Sequence, residues 1–280
     1  MKTKTILFLL ILLSIYSCKE KSAHSETTTS SNEDLLLNGE IIDLTHDFSE
    51  ETVYWVTAKE FDLEVVAKGP TDAGFYYSAN NFSGAEHGGT HIDAPIHFAE
   101  NRQSVNEIPL EKLIGNAIKV DVSFKALQNR DYLITINDLK RWEFMQNMQI
   151  PDGSIVLLET GYSKFYPDKL KYLGTDQRGA DAIKLLRFPG LSPEAAKWLV
   201  EERNINAIGL DTPSIDYGQS TGFESHVILL SKNIPAFENL TNLDQLPSKD
   251  FMVIALPMKI KDGSGGPLRI VAIVETSEKP

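Results

Sequence analysis

The chain has 280 residues and a formal net charge of −12, with 39 acidic against 27 Lys and Arg side chains. No basic run interrupts this acidic excess, so nucleic acid is excluded as an expected partner. Residues 37–280 have a length that suits one large domain or two small ones. Because no repeat or low-complexity insert marks a second boundary, we expect a single domain there.

The N-terminus has the pattern of an export signal. Two lysines precede an apolar run over residues 6–16, which is too short to span a membrane. Ser17 followed by Cys18 resembles a bacterial lipoprotein cleavage site, so we predict a signal peptide over residues 1–17 and a lipidated Cys18. A polar, flexible tether is predicted over residues 18–36. The alternative is an ordinary signal peptide with an incidental cysteine.

This interpretation has consequences for location and for metal chemistry. The protein would be exported and held at a bacterial membrane through a lipid anchor only, in the periplasm or at the cell surface. Cys18 is the only cysteine in the chain, so the folded part would carry no thiol. A metal site there must use His, Asp and Glu, which suits Zn²⁺ or Mn²⁺.

After a first predicted strand over residues 41–44, the chain reaches its most informative segment, residues 87–97, which reads His-Gly-Gly-Thr-His-Ile-Asp-Ala-Pro-Ile-His. Its four metal-binding or acid/base groups are His87, His91, Asp93 and His97. Their spacings are all even, so in an extended segment they would share one face. Full extension would also hold His87 and His91 roughly 13 Å apart, too far to share an ion at bond lengths of about 2.0–2.2 Å.

Two glycines allow His87 and His91 to come closer than they would in an extended chain. Gly88 and Gly89 permit a tight reversal that other residues resist, whereas the glycine pair and the following proline disfavour a helix. His91 and Asp93 can then chelate an ion directly from a strand. A chance grouping of histidines is the alternative, but three of the chain's six histidines lie in this segment. We therefore interpret it as a metal or acid/base site.

The rest of the chain alternates strands and helices, which is typical of α/β architecture. Further apolar runs predict strands, several of them buried on both faces, over residues 118–122, 155–159, 207–211, 252–256 and 268–274. Helices are predicted over residues 137–146, with Asn137 as the candidate cap, and over residues 193–203, capped by Ser192. We expect a mixed sheet flanked by helices.

Three loops follow predicted buried strands, where functional residues are often found. They are residues 160–162, 211–214 and 263–267; their Gly and Pro residues can equally be turn residues alone. Farther along, His226 is the only histidine of the C-terminal half. Glu238 lies among apolar neighbours. Each would be interpreted as structural if it stood alone.

Seven segments, taken together and in order, resemble the cyclase superfamily that includes bacterial kynurenine formamidase and isatin hydrolase. The most specific is the H-x-G-T-H-x-D-x-x-x-H pattern at the start of residues 87–98. The others are residues 157–162, 188–192, 209–213, 226–230, 238–240 and 265–269. The resemblance covers nearly everything from Ile41 to Val274.

The resemblance implies a role for each matching residue. His87, His91 and Asp93 would bind one metal, and Asp93 would bridge to a second metal held by His226 and Glu238. His97 would be the general acid/base. Some relatives work with one Mn²⁺, so we expect one or two Zn²⁺ or Mn²⁺ ions per chain.

The resemblance also implies the fold, the assembly and a pocket residue. The fold would be the swivelling β/β/α type, a single α/β domain with a barrel-like mixed sheet, assembled as a homodimer or homotetramer. Formamidases of the family carry a Trp-Pro-Gly-Asp-type segment near the substrate pocket. Here residues 53–58 read Val-Tyr-Trp-Val-Thr-Ala, so Trp55 is the candidate substrate-binding residue.

These residues predict a metal-dependent hydrolase of a small amide-like substrate, an aryl formamide or a cyclic amide. A divalent ion would activate water, and His97 would shuttle the proton. No Gly-x-Ser-x-Gly pattern predicts a serine nucleophile. The alternatives are a lactone hydrolase or polyketide-type cyclase on the same fold, or a non-catalytic surface lipoprotein that binds a metal or ligand. The last would not need a free acid/base such as His97.

Overall fold

Most strands of the protein belong to one mixed sheet that closes on itself. The protein is represented by a computed structural model that describes residues 32–276. Its strands are β1 (Glu40–Asp43), β2 (Asp62–Pro70), β3 (Tyr76–Ser83), β4 (His91–Asp93), β5 (Ile114–Asp121), β6 (Leu133–Ile134), β7 (Ile155–Glu159), β8 (Gly190–Leu191), β9 (Ala207–Leu210), β10 (Ala236–Glu238), β11 (Phe251–Pro257) and β12 (Gly265–Val274).

The helices are short and lie mainly on one side of the sheet. They are α1 (Asn32–Asn38), α2 (Ser123–Ala126), α3 (Ile136–Gln146), α4 (Lys169–Tyr172), α5 (Pro193–Glu202) and α6 (Glu224–Leu230). Short 3-10 helices occur at Pro95–His97, Val105–Glu107, Leu110–Lys112, Ser163–Phe165, Ala180–Leu185 and Leu243–Gln245.

Seven strands make a closed barrel in the order β12, β11, β5, β7, β9, β10 and β4, and β4 pairs again with β12. Strands β5, β7, β9 and β10 run parallel to one another, and the remaining pairings are antiparallel. Strand β1 adds to the outside of β12. The expected α/β fold with a barrel-like mixed sheet is therefore present.

Burial on both faces explains why the central strands are continuously apolar. In β7, Ile155 and Leu157 pack into the barrel interior, whereas Val156 and Leu158 pack under α3 and α5 against Leu139 and Leu199. Successive side chains of a strand point to opposite faces, so each face of β7 needs its own apolar set. All six predicted strands are present, with ends shifted by a few residues.

The two predicted helices are present, and one of the two predicted caps is correct. The Ser192 hydroxyl accepts a hydrogen bond from the Ala195 N–H at 3.1 Å, which caps α5. The cap predicted at Asn137 is wrong, because α3 already begins at Ile136 with Thr135 as its cap. Asp138 accepts from the Thr135 N–H and hydroxyl, both at 2.8 Å, which completes a capping box.

The structure begins with α1, inside the range predicted as a tether. Leu35 of α1 is buried and packs with Met252 and Ile273, so residues 32–36 are helical rather than a loose tether. The predicted signal peptide and Cys18 lie outside the described residues, and the domain boundary at residue 37 stays a prediction. Across residues 32–276, no helix is long and apolar enough to cross a membrane.

Candidate active site

The glycine pair between the first two histidines of the motif produces the predicted reversal. Gly89 has a φ of 56°, a conformation that favours glycine. A Cβ on Gly88 would come within 2.0 Å of the Tyr54 ring. The reversal brings the His87 Nδ1 to 2.7 Å from the Asp93 Oδ1.

His91 and Asp93 lie on β4, as the spacing predicts, but His97 does not continue the extended face. Pro95 begins a 3-10 turn that ends at His97, so only His91 and Asp93 of the four groups lie on the extended strand. The turn places the His97 ring parallel to the His87 ring, with centroids 3.7 Å apart. The four groups still meet, through folding rather than through strand alternation.

Strand pairing brings in the second half of the site. Glu238 of β10 is directly opposite His91 of β4, and its Oε2 lies 3.5 Å from the His91 Nε2. From α6, the His226 Nε2 lies 3.0 Å from the Asp93 Oδ2 and 3.2 Å from the Glu238 Oε1. The four other side chains predicted as metal ligands thus surround Asp93.

The two oxygens of Asp93 face different partners. Its Oδ1 lies 2.7 Å from the His87 Nδ1 and 3.2 Å from the His91 Nε2. Its Oδ2 faces His226. Donor atoms of His91, Asp93 and Glu238 all lie within 4.8 Å of one another, as do those of His87, Asp93 and His97. Asp93 belongs to both groups.

Hydrogen bonds from the surrounding residues aim the donors at the centre. The His91 Nδ1–H donates to the Gly89 carbonyl at 2.9 Å, which leaves its Nε2 free to bind. The His226 Nδ1 lies 2.6 Å from the Asp216 carboxylate. The Ile215 N–H donates to Glu238 at 2.7 Å. Such partners fix the tautomers of metal-binding imidazoles, so the buried set fits a divalent ion with nitrogen and oxygen ligands.

Sequence reasoning missed two residues that hold these histidines. One is Asp216, two residues beyond the predicted loop 211–214. The other is Ser264, inside the predicted loop 263–267. The Ser264 hydroxyl lies 2.9 Å from the His87 Nε2 and donates to Glu86 at 2.6 Å. The sequence offered one signal for these two residues, because each lies in a stretch that follows a predicted strand.

The predicted loop at residues 160–162 has a structural role instead. The N–H groups of Thr160 and Tyr162 donate to the buried Asp211 carboxylate at 2.8 and 3.0 Å. Burial raises the pKa of Asp211, although hydrogen bonds from Thr160 and Ser163 oppose the shift. Neither this loop nor Asp211 lines the cleft. For residues 160–162 the turn interpretation is therefore the correct one.

Both carboxylates of the site are buried, and their pKa values move in opposite directions. Burial alone would raise the pKa of Asp93, but the His87 charge and hydrogen bonds from three imidazoles hold it well below its usual range. Burial raises the pKa of Glu238, and the nearby Asp93 charge adds to the shift. Two acidic groups this close favour either a shared proton or a cation between them.

The pKa values of the two neighbouring histidines, His226 and His97, also move in opposite directions. Burial alone would lower the pKa of His226, but its hydrogen bonds to Asp216, Asp93 and Glu238 raise it well above the usual value. Burial lowers the pKa of His97 to about 4, although the Asp93 charge opposes the shift. The imidazole of His97 is therefore neutral near pH 7, and it is a weaker base than an exposed imidazole.

Aromatic side chains form a cleft above the convergent donors. It has a volume of about 290 Å³, near the lower end of the range for ligand cavities, about 300–1,000 Å³. Trp55 lines it, 6.2 Å from the Phe223 ring between centroids. Phe98 lies 4.5 Å from the His226 ring. The structure thus places Trp55 at the cleft and adds Phe98 and Phe223, which the sequence did not indicate.

Comparison with known proteins agrees with this geometry. A family model described as "Putative cyclase" matches residues 42–217. The chain belongs to the cyclase family. Among curated relatives of this cyclase-family chain, isatin hydrolase of Roseibium aggregatum is 29% identical over 245 residues, covering 85% of this chain and 88% of the relative. Kynurenine formamidase of Bacillus cereus is 26% identical over 235 residues, covering 83% and 96%.

Solved structures of cyclase-family members show the same fold. Isatin hydrolase A from Labrenzia aggregata, bound to benzyl benzoate, matches with a TM-score of 0.76 and 34% identity, covering 85% of this chain and 94% of that one. Isatin hydrolase A from Ralstonia solanacearum matches with a TM-score of 0.76 and 32% identity, covering 84% and 92%. The predicted family and fold are confirmed.

Proposed function

We propose that this protein is a metal-dependent hydrolase of a small aromatic amide, either an aryl formamide or a cyclic amide. The observation that carries the proposal is the convergence of five His, Asp and Glu donors beneath an aromatic cleft, with a neutral His97 beside them. The names isatin hydrolase and kynurenine formamidase, borne by two relatives, support this substrate class.

These donors would hold one or two Zn²⁺ or Mn²⁺ ions. His87, His91 and Asp93 would hold one ion, and His226 and Glu238 would hold a second with Asp93 shared. A divalent ion so bound would lower the pKa of bound water to about 7 and would polarise a substrate carbonyl.

His97 is positioned to move the proton that hydrolysis requires. Its ring is stacked on His87 and lines the cleft, so it is close to the metal donors and open to substrate. A neutral imidazole accepts the proton of the attacking water. Because its pKa is low, the imidazolium then readily gives the proton to the leaving nitrogen.

The cleft walls favour a flat, aromatic substrate. Tyr54, Trp55, Phe98 and Phe223 all line it. Aromatic rings prefer offset or edge contacts with another ring, worth about 0.5–1.5 kcal/mol beyond burial. Such contacts would orient the ring of a substrate while its carbonyl faces Asp93 and His97.

The proposal is tested by assaying the metal-loaded protein on isatin, N-formylkynurenine and simple lactones, with metal content measured on the same samples. His97→Ala should retain its metal and lose about 10²–10⁴-fold in turnover, mainly in kcat because the proton moves in the transition state. Glu100→Ala, an exposed position three residues on, is the matched control.

Four results would contradict this assignment. Loss of metal from His97→Ala would make His97 a ligand. Full turnover in that variant would remove it from the reaction. Activity on lactones alone would move the substrate class from amides to esters. A metal-loaded protein inactive on every compound would favour the non-catalytic binding function.

A further inference from the structure

The cleft wall contains a buried hydroxyl group that has no role in the chemistry described so far. Ser214 is 4% exposed and lines the cleft. Its hydroxyl makes no hydrogen bond to any residue of the described part of the chain. Buried polar groups in proteins are nearly all hydrogen-bonded, so this hydroxyl is placed to bond a molecule that occupies the cleft.

Two other buried or half-buried serines near the site are already paired. The Ser225 hydroxyl donates to the Leu191 carbonyl at 2.8 Å. The Ser264 hydroxyl donates to Glu86 at 2.6 Å. These bonds join segments of the protein to each other, and both serines lie outside the lining of the cleft. Ser214 differs from them because it lines the cleft and its hydroxyl is unpaired within residues 32–276.

Hydrogen bonds fix the backbone around Ser214. Its carbonyl accepts from the Thr212 hydroxyl at 3.0 Å. The N–H of the next residue, Ile215, donates to the Glu238 carboxylate at 2.7 Å, and the Ile215 carbonyl accepts from the Leu191 N–H at 2.7 Å. The Ser214 side chain is therefore held at a defined place in the cleft wall, where only its hydroxyl hydrogen needs to rotate toward a bound molecule.

The bond from Ile215 also shows at which end of the cleft Ser214 lies. Its acceptor, Glu238, is one of the five convergent donors, so Ser214 adjoins the donor end. Among the described residues that line the cleft, Tyr54 carries the other hydroxyl. That hydroxyl lies next to the exposed Gly84, where an added Cβ would come within 2.9 Å of it. The Tyr54 hydroxyl is thus at the rim, and the Ser214 hydroxyl is near the reacting end.

We propose that the Ser214 hydroxyl donates a hydrogen bond to the carbonyl oxygen of the substrate during hydrolysis. This role rests on the proposed function, in which the substrate carbonyl faces the donors and the substrate ring faces the aromatic walls. A donor held in place where negative charge develops stabilises the transition state and needs no reorganisation during the reaction. Ser214 is then a catalytic residue in addition to His97.

The proposed step moves one electron pair and one proton. The oxygen of water bonds to the carbonyl carbon, and the π electron pair of the C=O bond moves onto the carbonyl oxygen. The Ser214 hydroxyl stabilises the charge on that oxygen and keeps its own proton. One proton of the water passes to His97 and then to the leaving nitrogen, while the C=O bond forms again and the C–N bond breaks.

The proposal is tested by the kinetics of Ser214→Ala on whichever of isatin, N-formylkynurenine and formanilide wild type hydrolyses fastest. We expect kcat to fall by about 10²–10³-fold, the cost of removing one such donor in other hydrolases. KM should change by less than about threefold, because the bond strengthens as charge develops on the oxygen. Metal content should equal that of wild type, since Ser214 is not one of the five donors.

Ser154→Ala is the matched control. Ser154 is 3% exposed, and its hydroxyl donates to the Pro151 carbonyl at 2.5 Å, just before β7 and outside the cleft. This variant should keep the wild-type kcat and lose melting temperature, because it loses a buried hydrogen bond. Ser214→Ala should keep or raise the melting temperature, because it removes a buried hydroxyl that has no partner within the described chain.

A change in the substrate tests which atom accepts the bond. The thio analogue of the chosen substrate carries sulfur in place of the oxygen of the reacting carbonyl, and sulfur is a weak hydrogen-bond acceptor. The loss of kcat caused by Ser214→Ala should therefore be at least about tenfold smaller on the thio analogue than on the oxygen substrate. A serine with a purely structural role would affect both substrates equally.

The possible failures are distinguishable. If wild type is active and Ser214→Ala matches its kcat, the role of Ser214 is overturned and the proposed function stands. The same holds if the variant loses equal activity on the oxygen and sulfur substrates, or if it loses its metal. A metal-loaded wild type that hydrolyses none of the compounds would overturn the proposed function and the role of Ser214 together.

Discussion

Replacing Asp216 by Asn removes a charge from the site without changing its shape. Asp216 is 2% exposed. One of its oxygens receives the Nδ1–H and the backbone N–H of His226, at 2.6 and 3.1 Å, and the other accepts from the Ser225 N–H at 3.1 Å. An amide offers one oxygen and one NH₂ group. Asp216→Asn therefore loses the acceptor for His226 or for Ser225.

The size of the effect follows from what the carboxylate does. It keeps the His226 proton on Nδ1, so that Nε2 faces Asp93 and Glu238. Changes to such supporting partners typically lower metal affinity by about 10–100-fold, which corresponds to about 1.4–2.7 kcal/mol. The lost bonds to a charged group should also lower the unfolding free energy of the metal-free protein by about 1.5–3 kcal/mol.

Metal affinity is measured by titrating the protein against a chromophoric chelator with Zn²⁺. Asp244→Asn is the control, because Asp244 is exposed and lies in a 3-10 turn away from the cleft. We expect the affinity of Asp216→Asn to fall and that of Asp244→Asn to stay at the wild-type value. A folded Asp216→Asn protein that binds Zn²⁺ as tightly as wild type would refute the role given to Asp216.

Three further predictions concern other parts of the chain. Asp93→Ala should strip most of the metal, because Asp93 faces both donor groups, and full retention measured by elemental analysis would exclude a shared carboxylate. Burial alone would raise the pKa of Asp138, but hydrogen bonds from Lys125 and Thr135 lower it. The ionised Asp138 therefore stabilises the folded protein fully above the unfolded pKa of about 3.9. This contribution is lost as the pH falls through the folded pKa. In urea unfolding, the gap between wild type and Asp138→Asn, about 1–3 kcal/mol at pH 7, should narrow at pH 3, whereas a constant gap would contradict this. Cys18→Ala should release the protein from the membrane fraction or block its maturation, and unchanged fractionation would reject the lipid anchor.

The barrel strands could be predicted because the core determines their composition. Strands β5, β7 and β9 need apolar side chains on both faces, and this leaves continuous runs in the sequence. The ribbon β2–β3 was not predicted. None of its residues is buried, so no continuous apolar run marks it in the sequence, and β2 ends with Gly69 and Pro70.

The site could be predicted in part for a similar reason. The residues from His87 to His97 are close in sequence, so their spacing alone indicates a metal or acid/base site. Asp216 and Phe223 come from the connection between β9 and α6, and Ser264 comes from the loop between β11 and β12. Only the closed barrel brings these two segments to the motif. The even spacing alone could not place His97, because a 3-10 turn that begins at Pro95 follows the strand.

The closure of the barrel gives the metal donors a thermodynamic consequence. Strand β4, which carries His91 and Asp93, is the strand that pairs with both β10 and β12, and β10 carries Glu238. An ion bound by these side chains would bind the folded chain and not the unfolded one, so its binding free energy adds to stability, by about 2.7 kcal/mol at a concentration one hundred times Kd. The melting temperature would then rise with the free metal concentration. Metal scarcity would therefore shorten the lifetime of the folded protein and would also remove its proposed metal-dependent activity.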